Sequence, residues 1–340
     1  MGRKLSINEI LIYWVNGMSI LITGIAGFIG SNIAKVMIER GHTVFGVDNL
    51  SRGRFENLAK VIDNPRFLFK KIEMTNIVEY REVVGAFHSR VPITEVWHMA
   101  ANSDIPAGVH DANVDLRDTF MTTFNTLEIM KAFNIGLLAF ASSSAIYGDM
   151  GHQAMVENIG PLLPISNYGA MKLASEAVIC AAAESHLHRA YIFRFPNVIG
   201  VPATHGVMLD FIRKLKATPE NLDVLGNGTQ QKSYLHVEEL IDAMFFIREH
   251  ATEKVAVFNI GAGDAGMTVR CIAEKIVRAV SPRATISYGQ EDRGWVGDVP
   301  RFIYSIAKLK RLGWIPQLSS SEEAVHKAIY QIVAQEKEVS

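Results

Sequence analysis

The sequence predicts an α/β fold, a doubly wound parallel sheet joined to a smaller C-terminal α/β unit. Three observations carry that prediction. Apolar runs of strand length alternate with helical patterns through the first 195 residues, as in a parallel sheet covered on both faces. The first run, Ile20-Leu21-Ile22, opens into three spaced glycines, Gly24, Gly27 and Gly30, and then into a helical pattern. Past Pro196 the loops lengthen and the clean alternation stops.

A strand, a glycine-rich turn and a helix make the first half of a Rossmann-type, dinucleotide-binding unit. Gly24 lets the chain turn tightly, Gly27 lets the backbone approach a pyrophosphate, and Gly30 lets the helix pack on the strand. The helix start, with Phe28 and Ile29, aims free N–H groups and a partial positive charge at the phosphates. Ile33, Ala34, Val36 and Met37 share one helical face, and Gly41 stands where a C-terminal cap belongs. A second apolar run, Thr43 to Val47, ends at Asp48, placed to accept hydrogen bonds from an adenosine ribose. The polar turn after it, Asn49-Leu50-Ser51-Arg52-Gly53-Arg54, lies beside the adenosine. Arg52 and Arg54 suit a 2′-phosphate and hence NADP, but Asp48 repels that phosphate, so NAD is the expected cofactor.

The rest of the first unit follows the same rhythm. A helix over 55–62 and a strand over 67–72 lead to a helix ending near His88 and the strand Glu95-Val-Trp-His-Met. Asp115 to Asn134 is expected to be one long amphipathic helix, with Leu116, Phe120, Thr123, Leu127 and Met130 on one side. The strand 137–141 opens into Ser142-Ser-Ser-Ala-Ile-Tyr-Gly148. A Pro-rich piece, Pro161 to Pro164, precedes a helix beginning near Tyr168, and a strand over 190–195 closes the unit. Beyond it we expect a helix over 205–216, strands over 222–225 and 233–237, and a buried strand over 255–260 returning to the large sheet. The domain boundaries are therefore an N-terminal extension over 1–17, a dinucleotide-binding domain over 18–195 with a return segment at 255–263, and a mainly substrate-binding domain over 196–340. Ser6 to Glu9 reads as a capping box, and Met18 is an alternative start.

The chain's 340 residues are 49% hydrophobic and 20% charged, with a formal net charge of −1. That balance gives no electrostatic grip on nucleic acid or on a membrane. No apolar run reaches the length of a membrane span. Cys180 and Cys271 lie far apart without metal-ligand spacing and are expected to be reduced, buried thiols of a cytoplasmic protein. His98, His205 and His236 make no pair with metal spacing either.

Two features carry chemistry. Tyr168 and Lys172 stand four apart at the start of a helix, on the same face. A nearby ammonium, helped by the positive ring of an oxidised nicotinamide, favours the phenolate and makes Tyr168 a general base for an alcohol hydroxyl. The alternative is a core tyrosine beside a solvated lysine. Ser142, Ser143 and Ser144 stand where a parallel strand ends, the edge at which such sheets bind ligands, although at least one of them is expected to serve the turn.

Taken together, these stretches resemble the extended short-chain dehydrogenase/reductases, within them the NAD-dependent sugar-nucleotide epimerase/dehydratase family. The likeness runs from Met18 to about Ile332. Its signatures are 23–30 (Thr-Gly-Ile-Ala-Gly-Phe-Ile-Gly), Asp48-Asn-Leu, His98-Met-Ala-Ala101, Ser142-Ser143 ahead of Tyr147-Gly148, and Tyr168-Gly-Ala-Met-Lys172. Later ones are Arg194-Phe-Pro-Asn197, the 228–236 run, and Gly297-Asp298 ahead of Leu312-Gly-Trp. The resemblance implies that Ser143, four residues before Tyr147, is the catalytic serine, Tyr168 the base, and Lys172 its partner and a ligand of the nicotinamide ribose. Met99, Ala100, Ala101 and Thr119 would join the cofactor site, Thr119 standing where asparagine is common. Ser103, Ser144, Asn197, Val207, Met208, Lys232, Arg293 and Asp298 would face the substrate. Lys232 stands where many relatives carry arginine, and Pro196 replaces a common aromatic.

The resemblance further implies a nucleotide-diphosphate sugar as substrate, UDP-linked by preference, and a homodimer formed through the Asp115 and Tyr168 helices. Relatives that dehydrate or decarboxylate the sugar carry a carboxylate just after the catalytic residue. Ser144 and Ala145 stand there in this chain. The expected reaction is therefore inversion of the sugar 4-hydroxyl through a transient 4-keto sugar, of the UDP-glucose/UDP-galactose type. Two alternatives stay open: a sugar-nucleotide oxidoreductase or dehydratase with net product change, and a non-catalytic NAD-binding protein.

Overall fold

The computed structural model describes residues 17–151, 153–291, 303–318 and 320–338. The expected extension over 1–17, apart from Gly17, and the candidates Arg293 and Asp298 lie outside the described residues. Seven strands form one parallel sheet: β1 (Ser19–Thr23), β2 (Thr43–Asp48), β3 (Phe67–Lys71), β4 (Glu95–His98), β5 (Leu137–Ala141), β6 (Arg189–Arg194) and β7 (Val255–Asn259). Their order across the sheet is β7-β6-β5-β4-β1-β2-β3. The strand order reverses between β1 and β4, and the crevice outside their C-terminal ends is where such sheets receive a ligand.

The inner strands are buried on both faces because their residues alternate between two apolar layers. Ile20, Ile22, Val44, Trp97, Ala139 and Phe193 point to one layer, where α1 (Phe28–Glu39) contributes Ile33, Ala34 and Met37. Leu21, Phe45, Val96, Leu138, Phe140 and Ile192 point to the other. There they meet Tyr80 and Val84 of α2 (Ile77–Arg90), Leu127 and Met130 of α3 (Thr122–Ala132), and Ile179 of α4 (Asn167–Ser185). α1 ends as its sequence dictates: Gly41, at φ +83°, lets its own N–H and that of His42 return to the carbonyls of Ile38 and Met37.

The helix expected over Asp115 to Asn134 is found as an unbroken helical run to Ala132, but an irregular one. A short helix (Ala112–Asp115) passes into a π-helical stretch (Leu116–Met121) before α3 begins. The hydroxyls of Thr122, Thr123 and Thr126 donate back to carbonyls four residues earlier, which loosens regular helix. The inward face is polar, with Thr119, Thr123, Asn125 and Thr126 buried, while Leu116 and Phe124 are exposed. Residues 55–58 form only a 3-10 turn where a longer helix was expected. Both cysteines are exposed, not buried.

The second unit has its own core around Leu222, Ile272, Ile276, Val325 and Ile329, supplied by α5 (Val207–Ala217), α7 (Val269–Val280) and α8 (Ser321–Glu338). Short two-stranded sheets connect it, among them Asn197–Ile199 against Tyr234–His236 and Gln231–Lys232 against Met267–Thr268. α6 (Val237–His250) returns the chain to the large sheet, where Arg248 grips the fully buried Glu95 at the start of β4 through bonds of 2.7–2.9 Å. Among the described residues, no helix is long and apolar enough to cross a membrane.

Candidate active site

A cavity of about 790 Å³ runs along the C-terminal edge of the large sheet, between it and the second unit. Gly24, Gly27, Phe28, Ile29 and Gly30 line one end. Gly24 adopts φ +64°, and a Cβ there would sit 2.7 Å from the backbone nitrogen of Ala100. At Gly30 a Cβ would lie 2.3 Å from the Gly24 carbonyl oxygen, so only glycine lets α1 start this close to β1. The N-terminus of α1 is capped by Gly27, without a side-chain hydrogen bond and without an acidic residue in the first turn. Its N–H groups are thus available to an anion, and the cradle fits a dinucleotide pyrophosphate.

Asp48 stands at the end of β2 with one carboxylate oxygen accepting from the Ala26 N–H at 2.9 Å and the other from the Leu50 N–H at 2.8 Å. Burial pushes its carboxyl up, and these backbone bonds oppose the shift. Asn49, Ser51 and Arg52 line the same end, with Glu73 hydrogen-bonded to Asn49 at 3.0 Å. Arg52 forms an ion pair with Asp104, and the backbone of Arg54 donates to Ala26. Met99, Ala100, Ala101 and Ser103, on the loop after β4, line the middle of the cavity. Thr119 does not line it. It is fully buried and accepts from the Asn102 N–H at 3.1 Å, which corrects its expected place in the cofactor site.

Beyond β5 the three serines divide. Ser142 turns inward and donates to Glu176 at 2.5 Å, so it belongs to the interior. Ser143 and Ser144 line the cavity, and the Ser143 hydroxyl caps a 3-10 turn by accepting from the Ala145 N–H. Tyr168 lines it too, with the Ser143 side chain beside its phenol. α4 starts here because the Ser166 hydroxyl accepts from the Gly169 N–H. Gly169 allows the helix to approach the Ala145 carbonyl, which a Cβ would meet at 2.4 Å.

Lys172, one turn on, is buried. Its ammonium donates to the Ala141 carbonyl at 2.6 Å and lies 5.9 Å from the centre of the Tyr168 ring. Burial pushes it down to about 7 against the pull of Glu176 and Asp115. Burial likewise pushes the Tyr168 phenol up to about 12, the Ser143 side chain opposing and Asp115 adding to the rise. Desolvation in the chain by itself thus favours the neutral phenol.

The opposite wall comes from the second unit. Asn197, Val207, Met208 and Lys232 line it. The N-terminus of α5 lacks a side-chain cap, and Gly206 before it adopts φ +104°, so this helix too aims free N–H groups into the cavity. Sequence reasoning missed Asp104, Glu73, Phe195, Leu225, Tyr234 and Ile332, all lining residues. Phe195 and Tyr234 lie within the 194–197 and 228–236 signatures without having been singled out, and the others sit in no spacing pattern that marks them. His98 is fully buried between the hydroxyls of Thr23 and Thr123, and burial pushes it down to about 3, so it is a neutral structural link. Among the described residues no group of three or more potential ligands could hold a metal ion.

Comparisons with known proteins agree with this geometry. The model of the NAD dependent epimerase/dehydratase family matches residues 20–261. A putative UDP-glucose 4-epimerase of Methanocaldococcus jannaschii is 27% identical over 308 residues, 89% of this chain and 95% of its own. A dTDP-glucose 4,6-dehydratase of Neisseria gonorrhoeae is 26% identical over 343 residues, covering 92% and 94%. Among solved structures, the Thermus thermophilus UDP-glucose 4-epimerase in complex with NAD superposes with a TM-score of 0.79 at 27% identity, covering 93% of this chain and 99% of that one. The chain belongs to the NAD dependent epimerase/dehydratase family.

Proposed function

We propose that this chain inverts the 4-hydroxyl of a nucleotide-diphosphate sugar, a UDP-sugar before others, through a transient 4-keto sugar. One observation carries the reading: Ser143 and Tyr168 share the cavity, and the lining residues that follow Ser143 are Ser144 and Ala145, with no carboxylate to expel water from the sugar. The Gly24–Gly30 cradle and Asp48 would hold NAD, which would supply a reversible hydride acceptor. With the positive charge of oxidised NAD added to that of Lys172, Tyr168 would ionise to the phenolate, take the 4-hydroxyl proton and later return it, and Ser143 would steady the carbonyl oxygen. Lys172 holds positive charge behind the phenol. Asn197, Lys232 and the N-terminus of α5 hold the diphosphate while the sugar turns its other face, so the ketone does not escape.

The test is incubation with a panel of UDP-, GDP-, CDP- and dTDP-sugars, without added NAD, read by chromatography and NMR. Interconversion of a 4-epimer pair is the expected result, and a product of different mass would sink the proposal. Tyr168→Phe should lower turnover by about 10²–10⁴-fold while the NAD content stays that of wild type.

The reading extends to a homodimer. Ala170, Ala174, Ala177 and Ala181 form a small-residue strip on the outer side of α4, and Leu116 and Phe124 stay 44% and 42% exposed on the neighbouring helical stretches. A solution mass of one chain would remove it.

A further inference from the structure

Arg52 lies four residues past Asp48, where an arginine receives the 2′-phosphate in NADP sites. Around it the chain holds what such a phosphate needs. A second concavity of about 280 Å³ adjoins the main cavity and shares Ser51, Arg52, Ser103, Thr204 and His205 with it. Arg54 completes its lining, which contains no carboxylate. Two guanidinium groups, a histidine and three hydroxyls beside the adenosine ribose are the donors of a phosphate pocket.

That pocket's central guanidinium is engaged by Asp104. The carboxylate is not a loose surface partner. One of its oxygens accepts from the Ala107 N–H at 3.1 Å, capping the short helix Ile105–His110. The Asp104 N–H donates to the Asn102 side chain at 2.9 Å, and the Asn102 amide returns a bond to the Asp104 carbonyl at 2.9 Å. The same amide reaches the buried Asp115 at 2.8 Å, which fastens the whole turn to the interior. Burial raises the Asp104 carboxyl, but the Arg52 bond, the Ala107 N–H and the Arg52 charge outweigh it and hold the group below the usual carboxylate range.

We infer that Asp104 is a positioning residue that sets the choice of NAD over NADP: it holds Arg52 in an ion pair and so withholds it from a 2′-phosphate. Asp48 rejects that phosphate directly by its charge, and Asp104 removes the cation that would compensate. The inference rests on the dinucleotide lying with its adenosine ribose at Asp48.

The experiment equilibrates the full chain with equimolar NAD and NADP, washes it, and quantifies the nucleotide released on denaturation. Wild type should retain NAD. Asp104→Asn and Asp104→Ser both keep a helix-capping oxygen and should fold. Each should raise the retained NADP:NAD ratio about tenfold, the worth of one charge-assisted hydrogen bond. Adding Arg52→Gln to Asp104→Asn should return the ratio to the wild-type value, because the gain runs through Arg52. An unchanged ratio in both Asp104 variants would overturn the inference, as would a gain that survives loss of Arg52. Equal loss of both nucleotides would overturn it as well and make the ion pair a strap across the cofactor. Retention of NADP by wild type would instead overturn the placement of the ribose, a distinguishable failure.

Discussion

The wall proposed to face the dinucleotide is made by one contiguous stretch, Gly24 to Gly30, and by the end of the next strand at Asp48. The opposite wall takes Asn197 with nearby Phe195, Val207 and Lys232 from three separate segments and adds Leu225 and Ile332 from elsewhere. The first wall works through backbone: positive φ at Gly24, close approach at Gly30 and uncapped N–H groups at α1. The second works mainly through side chains that meet only because short two-stranded sheets and α5, α7 and α8 pack together. A backbone site tolerates almost no change in its own few residues. A side-chain site distributes its grip and loses it by degrees.

The largest expected effect breaks the first wall. Gly30→Ala puts a Cβ 2.3 Å from the Gly24 carbonyl oxygen and 2.8 Å from the Ile25 Cα, both backbone atoms that cannot swing aside. We expect the purified variant to carry no NAD and to be destabilised by about 1–3 kcal/mol, read by nucleotide release and by denaturant unfolding. Wild-type NAD content would show that the helix start yields more readily than its contacts indicate.

A smaller effect is expected on the second wall. Lys232→Ala removes one cation from a lining shared with Asn197 and the α5 N-terminus. KM for the nucleotide sugar should rise about tenfold with kcat little changed, the pattern of lost uniform binding. NAD content should not move. Loss of kcat and of NAD together would mean that the two walls are not separable.

The smallest effect concerns the base pair between the walls. Burial lowers Lys172 from its ordinary 10.5 to about 7, so within that window the unfolded chain binds a proton that the folded chain does not. Stability therefore rises with pH across the window, and the cost of the buried charge is fully present below it. Lys172→Met should raise Tm by a few degrees at about pH 6, and the gain should shrink by about pH 9. An equal gain at both pH values would assign it to packing alone. Turnover should be lost at either pH.

Legibility in the sequence followed the same division. The β1 run, the glycine spacing, Asp48 and the Tyr168–Lys172 spacing are local patterns, and each stands in the structure within a few residues of its expected place. The helix from Asp115 stands, but with a π-helical part and a polar inner face: Thr119, Thr123 and Asn125 bond to distant groups, which an apolar periodicity does not anticipate. The burial of the cysteines failed, since composition ranks residue types without placing them.

By itself the sequence determined the order of strands and helices, the glycine cradle and the spacing of Tyr168 and Lys172, because backbone conformation and helical period are properties of neighbours in the chain. Tertiary structure alone decided three things: that Thr119 turns away from the cavity, that Ser142 joins Glu176 in the interior, and that Asp104 holds Arg52. Those outcomes depend on desolvation and on partners dozens of residues away, and both exist only once the two units have packed around the cavity.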